Sequence, residues 1–108
     1  MEVLQLPRFG LDIVPNRAQV TVRIAGDLDM ATGPRLHDAI GDLRASGWSA
    51  IALDLGDVTF VDSTGLALLL ELCRGGAVDG GEVAIAVSCP TLERLLTISK
   101  LEHALPRG

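Results

Sequence analysis

The stretch that most constrains this chain is Phe60-Val61-Asp62-Ser63-Thr64-Gly65-Leu66, where an apolar run ends in an acid, two hydroxyls and a glycine and a second apolar run starts at once. The run before it, Ala50-Ile51-Ala52-Leu53-Asp54-Leu55, has the length and branching of a buried strand. Leu66-Ala67-Leu68-Leu69-Leu70-Glu71-Leu72-Cys73 is long enough for a helix. The sequence therefore predicts a strand, a tight turn and a helix, with Ser63 at the helix N-terminus. Around that helix Leu66, Leu69, Leu70 and Cys73 share one face, while Leu68 and Leu72 point away from it. That is more leucine than one buried face needs, so the second stripe is expected to meet a neighbouring element or a partner.

Upstream, Phe9 to Val14 alternates weakly, Pro15-Asn16-Arg17 carries turn chemistry, and Ala18 to Ala25 alternates with Val20, Val22 and Ile24 on one face. This pattern predicts an antiparallel hairpin. Gly26-Asp27-Leu28-Asp29 then ends the second strand in a loop with two carboxylates. Thr32 stands where it can cap a helix that tolerates an early Pro34. Leu36, Ile40 and Leu43 recur at i, i+4 and i+7, which places the helix from about Gly33 to Ser46, with Gly47 ending it. Trp48 is expected to cover the end of the core.

The third strand is expected over residues 50–55, with 56–61 leading into the turn. Gly75-Gly76 and Gly80-Gly81 bracket a loop, Glu82 to Val87 reads as a buried strand, and Pro90 opens a short amphipathic helix on Leu92, Leu95 and Leu96. Glu102 to Leu105 is a candidate short edge strand. The order β-β-α-β-α-β-α-(β) predicts a single α/β domain: a mixed, largely parallel sheet of four to five strands with helices packed on it. Residues 1–8 are a tail or an edge-strand extension, and 9–108 form the domain.

A chain of 108 residues can bury one core without disulfide or metal. Even an apolar run as long as Leu66 to Leu70, which no other in the chain exceeds, is too short to span a bilayer. The N-terminal residues lack a basic segment followed by an apolar one, so a cytoplasmic location and no membrane association are expected. A formal net charge of −5, with nine dispersed Lys and Arg residues, argues against direct nucleic-acid binding. Cys73 and Cys89 share no CxxC spacing, and His37 lies far from His103, so no metal site is signalled and both cysteines read as small buried hydrophobes.

At the turn, the ordinary explanation is a helix cap supplied by Asp62 or Ser63. Position 66 is Leu where a Glu or Gln would complete a capping box, and Gly65 weakens the helix, as though it left the backbone open to another molecule. Catalytic explanations lack their companions. A nucleophile elbow needs Gly at 61, where Val stands. An aspartic protease needs Gly directly after Asp-Ser. A phosphate loop needs Gly-Lys, and the only lysine is Lys100. The remaining chemical reading makes Ser63 a substrate for phosphorylation. The helix amides would favour the added charge, while Asp62, Asp27 and Asp29 would oppose it.

At these residues the chain resembles a STAS domain and, within that family, the small single-domain bacterial anti-sigma factor antagonists. The likeness covers roughly residues 9–105. It rests on Gly26-Asp27-Leu28-Asp29 with Thr32 and Leu36, on Leu53-Asp54-Leu55 through Phe60 to Leu66, on Gly80-Gly81-Glu82-Val83, and on Pro90 with Leu95-Leu96-Thr97-Ile98-Ser99. The resemblance implies a partner switch. The unphosphorylated form binds an anti-sigma factor that is also a serine kinase and frees the sigma factor; phosphorylation on Ser63 ends that binding, and a serine phosphatase resets it. It carries the phosphoacceptor over to Ser63 and the two motif aspartates to Asp29 and Asp62; with Asp27, Thr64, Gly65 and the second leucine stripe of Leu68 and Leu72, these form the expected partner-binding surface. It also implies that the chain is not an enzyme and carries no cofactor of its own, ATP and magnesium belonging to the kinase. The other reading within the family is a STAS subunit docked on a transporter or lipid-transport ATPase without phosphorylation. Two departures are Lys100, where the family often has Gly, and an end at Gly108, short of a terminal helix found in many members; a homodimer is one expected consequence.

Overall fold

The computed structural model describes residues 9–78 and 81–108, the side chains of 75–78 excepted. The expectation for residues 1–8 lies outside the described residues. The elements run β1 (Gly10–Pro15), β2 (Val20–Leu28), α1 (Gly33–Ala45), β3 (Ala50–Val61), α2 (Ser63–Val78), β4 (Glu82–Val87) and α3 (Pro90–Ile98). The sheet order is β1-β2-β3-β4, with β1 antiparallel to β2 and the other two pairs parallel.

That order determines the layering. Both parallel connections step the same way across the sheet, and strand-helix-strand crossovers are right-handed, so α1 and α2 fall on one face. Helix α3 joins them there, because all three helices contribute to one cluster with the inward residues of β2, β3 and β4. The register matches this, aligning Val22 with Leu53 and Leu53 with Ile85. The opposite face carries smaller or polar side chains, including Thr21, Ala52 and Ala84 in one row, and an Arg23–Asp54 ion pair at 3.7 Å.

The first turn forms as its chemistry requires: the Asn16 side-chain oxygen accepts from the amides of Ala18 and Gln19 at 2.9 and 2.8 Å. Helix α1 ends at Gly47, whose φ of 99° is the left-handed conformation glycine adopts freely, with Gly47 N–H donating to Arg44 and Trp48 N–H to Leu43. Trp48 packs half-buried on the core, as expected.

Four boundaries differ from the sequence reading, the first being that β2 runs on through Leu28 where a loop was expected from Gly26. Strand β3 continues through Val61, because Gly56 to Val61 goes on pairing with β2 beyond two register shifts. The buried residues Leu55, Val58 and Val61 recur every third position across those shifts, a spacing that two-residue periodicity does not recognise. Helix α2 continues through Gly75-Gly76 to Val78, since packing of an amphipathic face overrides the propensity cost of two glycines. At the other end of the chain, residues 106–108, not 102–105, lie along β4: Ile85 N–H donates to Pro106 and Gly108 N–H to Ile85, at 2.8 and 2.9 Å. Leu105 is buried and anchors that segment.

The last correction concerns α2. Leu72 is only 8 % exposed and belongs to the core with Leu66, Leu69 and Cys73, while Leu70 is half-buried. The exposed second stripe therefore does not include Leu72. Helix α2 is flanked by α1 on one side and by β4 and α3 on the other, so its buried arc is wider than one sheet-facing stripe.

Candidate functional site

The junction between β3 and α2 lies beside the end of β2. Helix α2 begins at Ser63, which makes Asp62 the N-cap: its Oδ1 accepts from Gly65 N–H at 2.8 Å, and its carbonyl accepts from Leu66 N–H at 2.9 Å. Of the two capping candidates, the acid is therefore the cap. Ser63 is exposed at the first helical position, and its hydroxyl has no hydrogen bond among the described residues. The amides of Ser63 and Thr64 belong to the first turn, whose N–H groups have no intrahelical acceptor.

Gly65 does something other than leave the backbone open to a partner. It is buried, and a Cβ at this position would collide with the Leu28 carbonyl oxygen and press on Val61 Cγ1 at 3.1 Å. Asp62 N–H also reaches the Leu28 carbonyl, at 3.4 Å. The glycine thus allows the start of α2 to close onto the end of β2, and it sits behind the surface that Ser63 and Thr64 present.

The loop after β2 is built around Asp29, whereas Asp27 still belongs to the strand. Asp29 Oδ1 accepts from the amides of Ala31 and Thr32 at 2.9 and 3.1 Å, and from Thr32 Oγ1 at 3.2 Å. Thr32 Oγ1 also lies 2.7 Å from the Asp27 carbonyl and 3.0 Å from Asp29 N–H. Thr32 stands at the N-cap position of α1, yet its hydroxyl serves this loop and gives no cap bond to the helix. Asp27 receives a 2.8 Å hydrogen bond from Thr59 Oγ1 of β3. Three carboxylates, Asp27, Asp29 and Asp62, therefore lie on the elements that meet at this end of the sheet, each holding local backbone or a neighbouring strand.

Of the remaining expected residues, Asp29, Thr64 and Leu68 come together along a groove of about 540 Å³ between α1 and α2. Leu72 does not reach it. Sequence reasoning missed Thr59, whose partner Asp27 lies on a different strand, and Met30, 75 % exposed at the mouth of the groove. An apolar side chain beside a loop carboxylate was the available signal for Met30. Among the described residues no cluster of three or more His, Cys, Asp or Glu could hold a metal ion. Cys73 and Cys89 are free and buried, and burial pushes the Cys73 thiol up to about 11, which leaves it a poor nucleophile at neutral pH. No helix among the described residues is long and apolar enough to cross a membrane.

A hairpin leading into two right-handed crossovers, with an exposed serine beside an aspartate cap, defines a STAS-type α/β domain. Residues 12–107 match the family model described as "Mlab, STAS domain", and the chain belongs to that family. It is similar to the anti-sigma-B factor antagonist of Bacillus subtilis (strain 168), at 28 % identity over 97 residues covering 90 % of this chain and 88 % of that one. Among solved structures it is similar in fold to an anti-sigma factor antagonist from Mycobacterium paratuberculosis, with a TM-score of 0.73 at 23 % identity over 93 % of this chain and 85 % of that one. It is also similar to the Bacillus cell fate determinant SpoIIAA in its phosphorylated form, with a TM-score of 0.68 at 22 % identity over 94 % and 91 %.

Proposed function

We propose that this chain is a cytoplasmic anti-sigma factor antagonist that works by partner switching. Unphosphorylated, it binds an anti-sigma factor with serine kinase activity and so frees a sigma factor. Phosphorylation on Ser63 ends the binding, and a serine phosphatase restores it. The chain acts by binding, with no catalysis of its own. The observation that carries this reading is the division of labour at the start of α2: Asp62 does the capping, so the Ser63 hydroxyl is exposed and free to be modified. The relative named as an anti-sigma-B factor antagonist and the SpoIIAA structure in the phosphorylated form support it.

Magnitudes favour release over unfolding. A phosphate adds about 1.5 to 2 negative charges. An anion at an exposed helix N-terminus gains about 0.3–1 kcal/mol, which offsets part of the repulsion from Asp62, Asp27 and Asp29 across solvent. A partner that must strip water from a phosphate meets a far larger penalty. The test is mass spectrometry after incubation with the cognate anti-sigma kinase and ATP. One phosphate on Ser63, and loss of kinase binding in Ser63→Asp with an unchanged circular dichroism spectrum, are expected. An unmodified Ser63, with Ser63→Asp still binding, overturns the proposal.

The second reading, constitutive docking on a transporter or lipid-transport ATPase, draws on the "Mlab" description of the family model. It differs in one outcome: Ser63→Asp and Ser63→Ala would both leave partner binding intact.

A further inference from the structure

The groove between α1 and α2 is made of two helix faces lying side by side. Thr64, Ala67, Leu68 and Glu71 supply one wall at i, i+3, i+4 and i+7, and Pro34, His37 and Asp38 supply the other at i, i+3 and i+4. Two turns of α2, about 10 Å, therefore line it. Its middle is apolar, formed by Ala67, Leu68 and Pro34, with the flexible thioether of Met30 at one end. Gly33 brings the helices close, since a Cβ there would lie 3.2 Å from Leu68 Cδ2. The charge is one-sided: among the described residues Asp29, Asp38 and Glu71 line the groove, and no lysine or arginine does.

We infer that this groove seats a helix of the partner protein, one that lays an apolar stripe on Ala67, Leu68 and Met30 and sets arginine or lysine against Asp38 and Glu71. An open trough with an apolar centre is the geometry of helix-in-groove recognition. Charge complementarity selects the occupant: three carboxylates repel nucleotides and acidic segments, and they attract a cationic flank. The inference deepens the antagonist reading by giving the chemistry of the partner segment, and rests on that reading for the partner's identity alone. Because Thr64 lines the groove and Ser63 stands next to it, a helix seated here runs up to the site of modification.

The test uses a phage-displayed library of helical peptides, panned on the full chain and counter-panned on Ala67→Arg, which blocks the groove at an exposed position. Recovered peptides are synthesised, and their affinities are measured by fluorescence anisotropy at low and high salt. The expected sequences carry apolar residues at i and i+4 flanked by Arg or Lys. The double variant Asp38→Lys/Glu71→Lys, at two exposed positions, should bind them at least tenfold more weakly while keeping the wild-type circular dichroism spectrum. Amide shift changes on binding should centre on residues 33–38 and 64–71. Recovery of no binders, of acidic peptides, of peptides indifferent to the charge reversal, or of shifts elsewhere overturns the inference. The outcomes separate from those of the phosphorylation test. Basic helices that bind the groove of a chain no kinase modifies would sink the switch and leave this site standing. Phosphorylation with no groove dependence would do the reverse.

Discussion

At the scale of single residues, two positions at the start of α2 are assigned by what their neighbours leave room for. An exposed helical Gly→Ala substitution ordinarily stabilises by about 1 kcal/mol, and Gly41 of α1, where an added Cβ would meet nothing within 4 Å, should behave so. Gly65→Ala should have the opposite sign and cost about 2 kcal/mol, because the added methyl meets the rigid backbone of Leu28. Urea denaturation of the two variants side by side checks the reversal. Asp62→Ala removes the cap on Gly65 N–H and should cost about 1 kcal/mol, whereas Ser63→Ala should stay within about 0.5 kcal/mol of wild type. Equal costs in thermal melts would mean that the two residues share the cap. The sequence located this junction and its two capping candidates from local pattern alone. It could not say why residue 65 is glycine, since the atom that forbids a side chain belongs to β2, remote in the chain and adjacent only after folding.

At the scale of elements, the helix ends show what local chemistry specifies and where tertiary packing intervenes. Helix α3 stops in the same way as α1: Ser99 is the C-cap, Lys100 N–H donates to Thr97 at 3.1 Å, and Leu101 N–H reaches back to Leu96 at 2.7 Å. In α1 the left-handed position is Gly47; in α3 it is Lys100, with φ of 58°. Lys100→Gly should therefore stabilise the protein by about 1 kcal/mol, since the left-handed penalty on a Cβ-bearing residue exceeds the backbone entropy glycine adds to the unfolded chain. A raised urea midpoint with an unchanged slope would establish it. Lys100, where the resemblance led to an expected Gly, is thus accommodated as a strained left-handed residue just past the end of the helix. The error at Leu72 has a different origin. Periodicity describes one buried stripe, and it fails for a helix wedged between α1, α3 and β4, where the buried arc widens. Leu68, by contrast, faces the α1 side, where it lines the groove and is left half-buried.

At the scale of the whole molecule, the four strands of the one-sided sheet among the described residues leave two edges, and the fold closes one of them with its own C-terminal segment. Leu105 is buried, Pro106 and Gly108 pair with Ile85, and Arg107 Nη2 lies 3.2 and 3.0 Å from the two oxygens of Glu93. Glu93 also accepts from Ser88 at 2.8 Å, and the Ser88 and Arg107 hydrogen bonds hold its carboxyl below the usual glutamate range. A carboxylate with a depressed folded pKa adds stability that is present above its unfolded value and lost as pH falls through the folded one. Glu93→Gln should therefore lower stability at pH 7, and the gap from wild type should close as melts are repeated down to about pH 3. A gap constant with pH would assign the loss to packing.

Deleting residues 106–108 is a stronger perturbation of the same closure. It removes the two backbone hydrogen bonds to Ile85 and the partner of Glu93, for a loss of about 2 kcal/mol. It also leaves a row of unpaired groups along β4, the kind of edge on which other chains pair. At the opposite edge β1 is six residues long, ends at Pro15 and carries the charged Asp12, features that discourage such pairing even though Ile13 and Val14 are exposed. Sedimentation velocity over a concentration series should accordingly show the truncated chain associating at concentrations where the full chain does not. Equal sedimentation of the two forms would mean that β4 is protected by something other than the segment that lies along it.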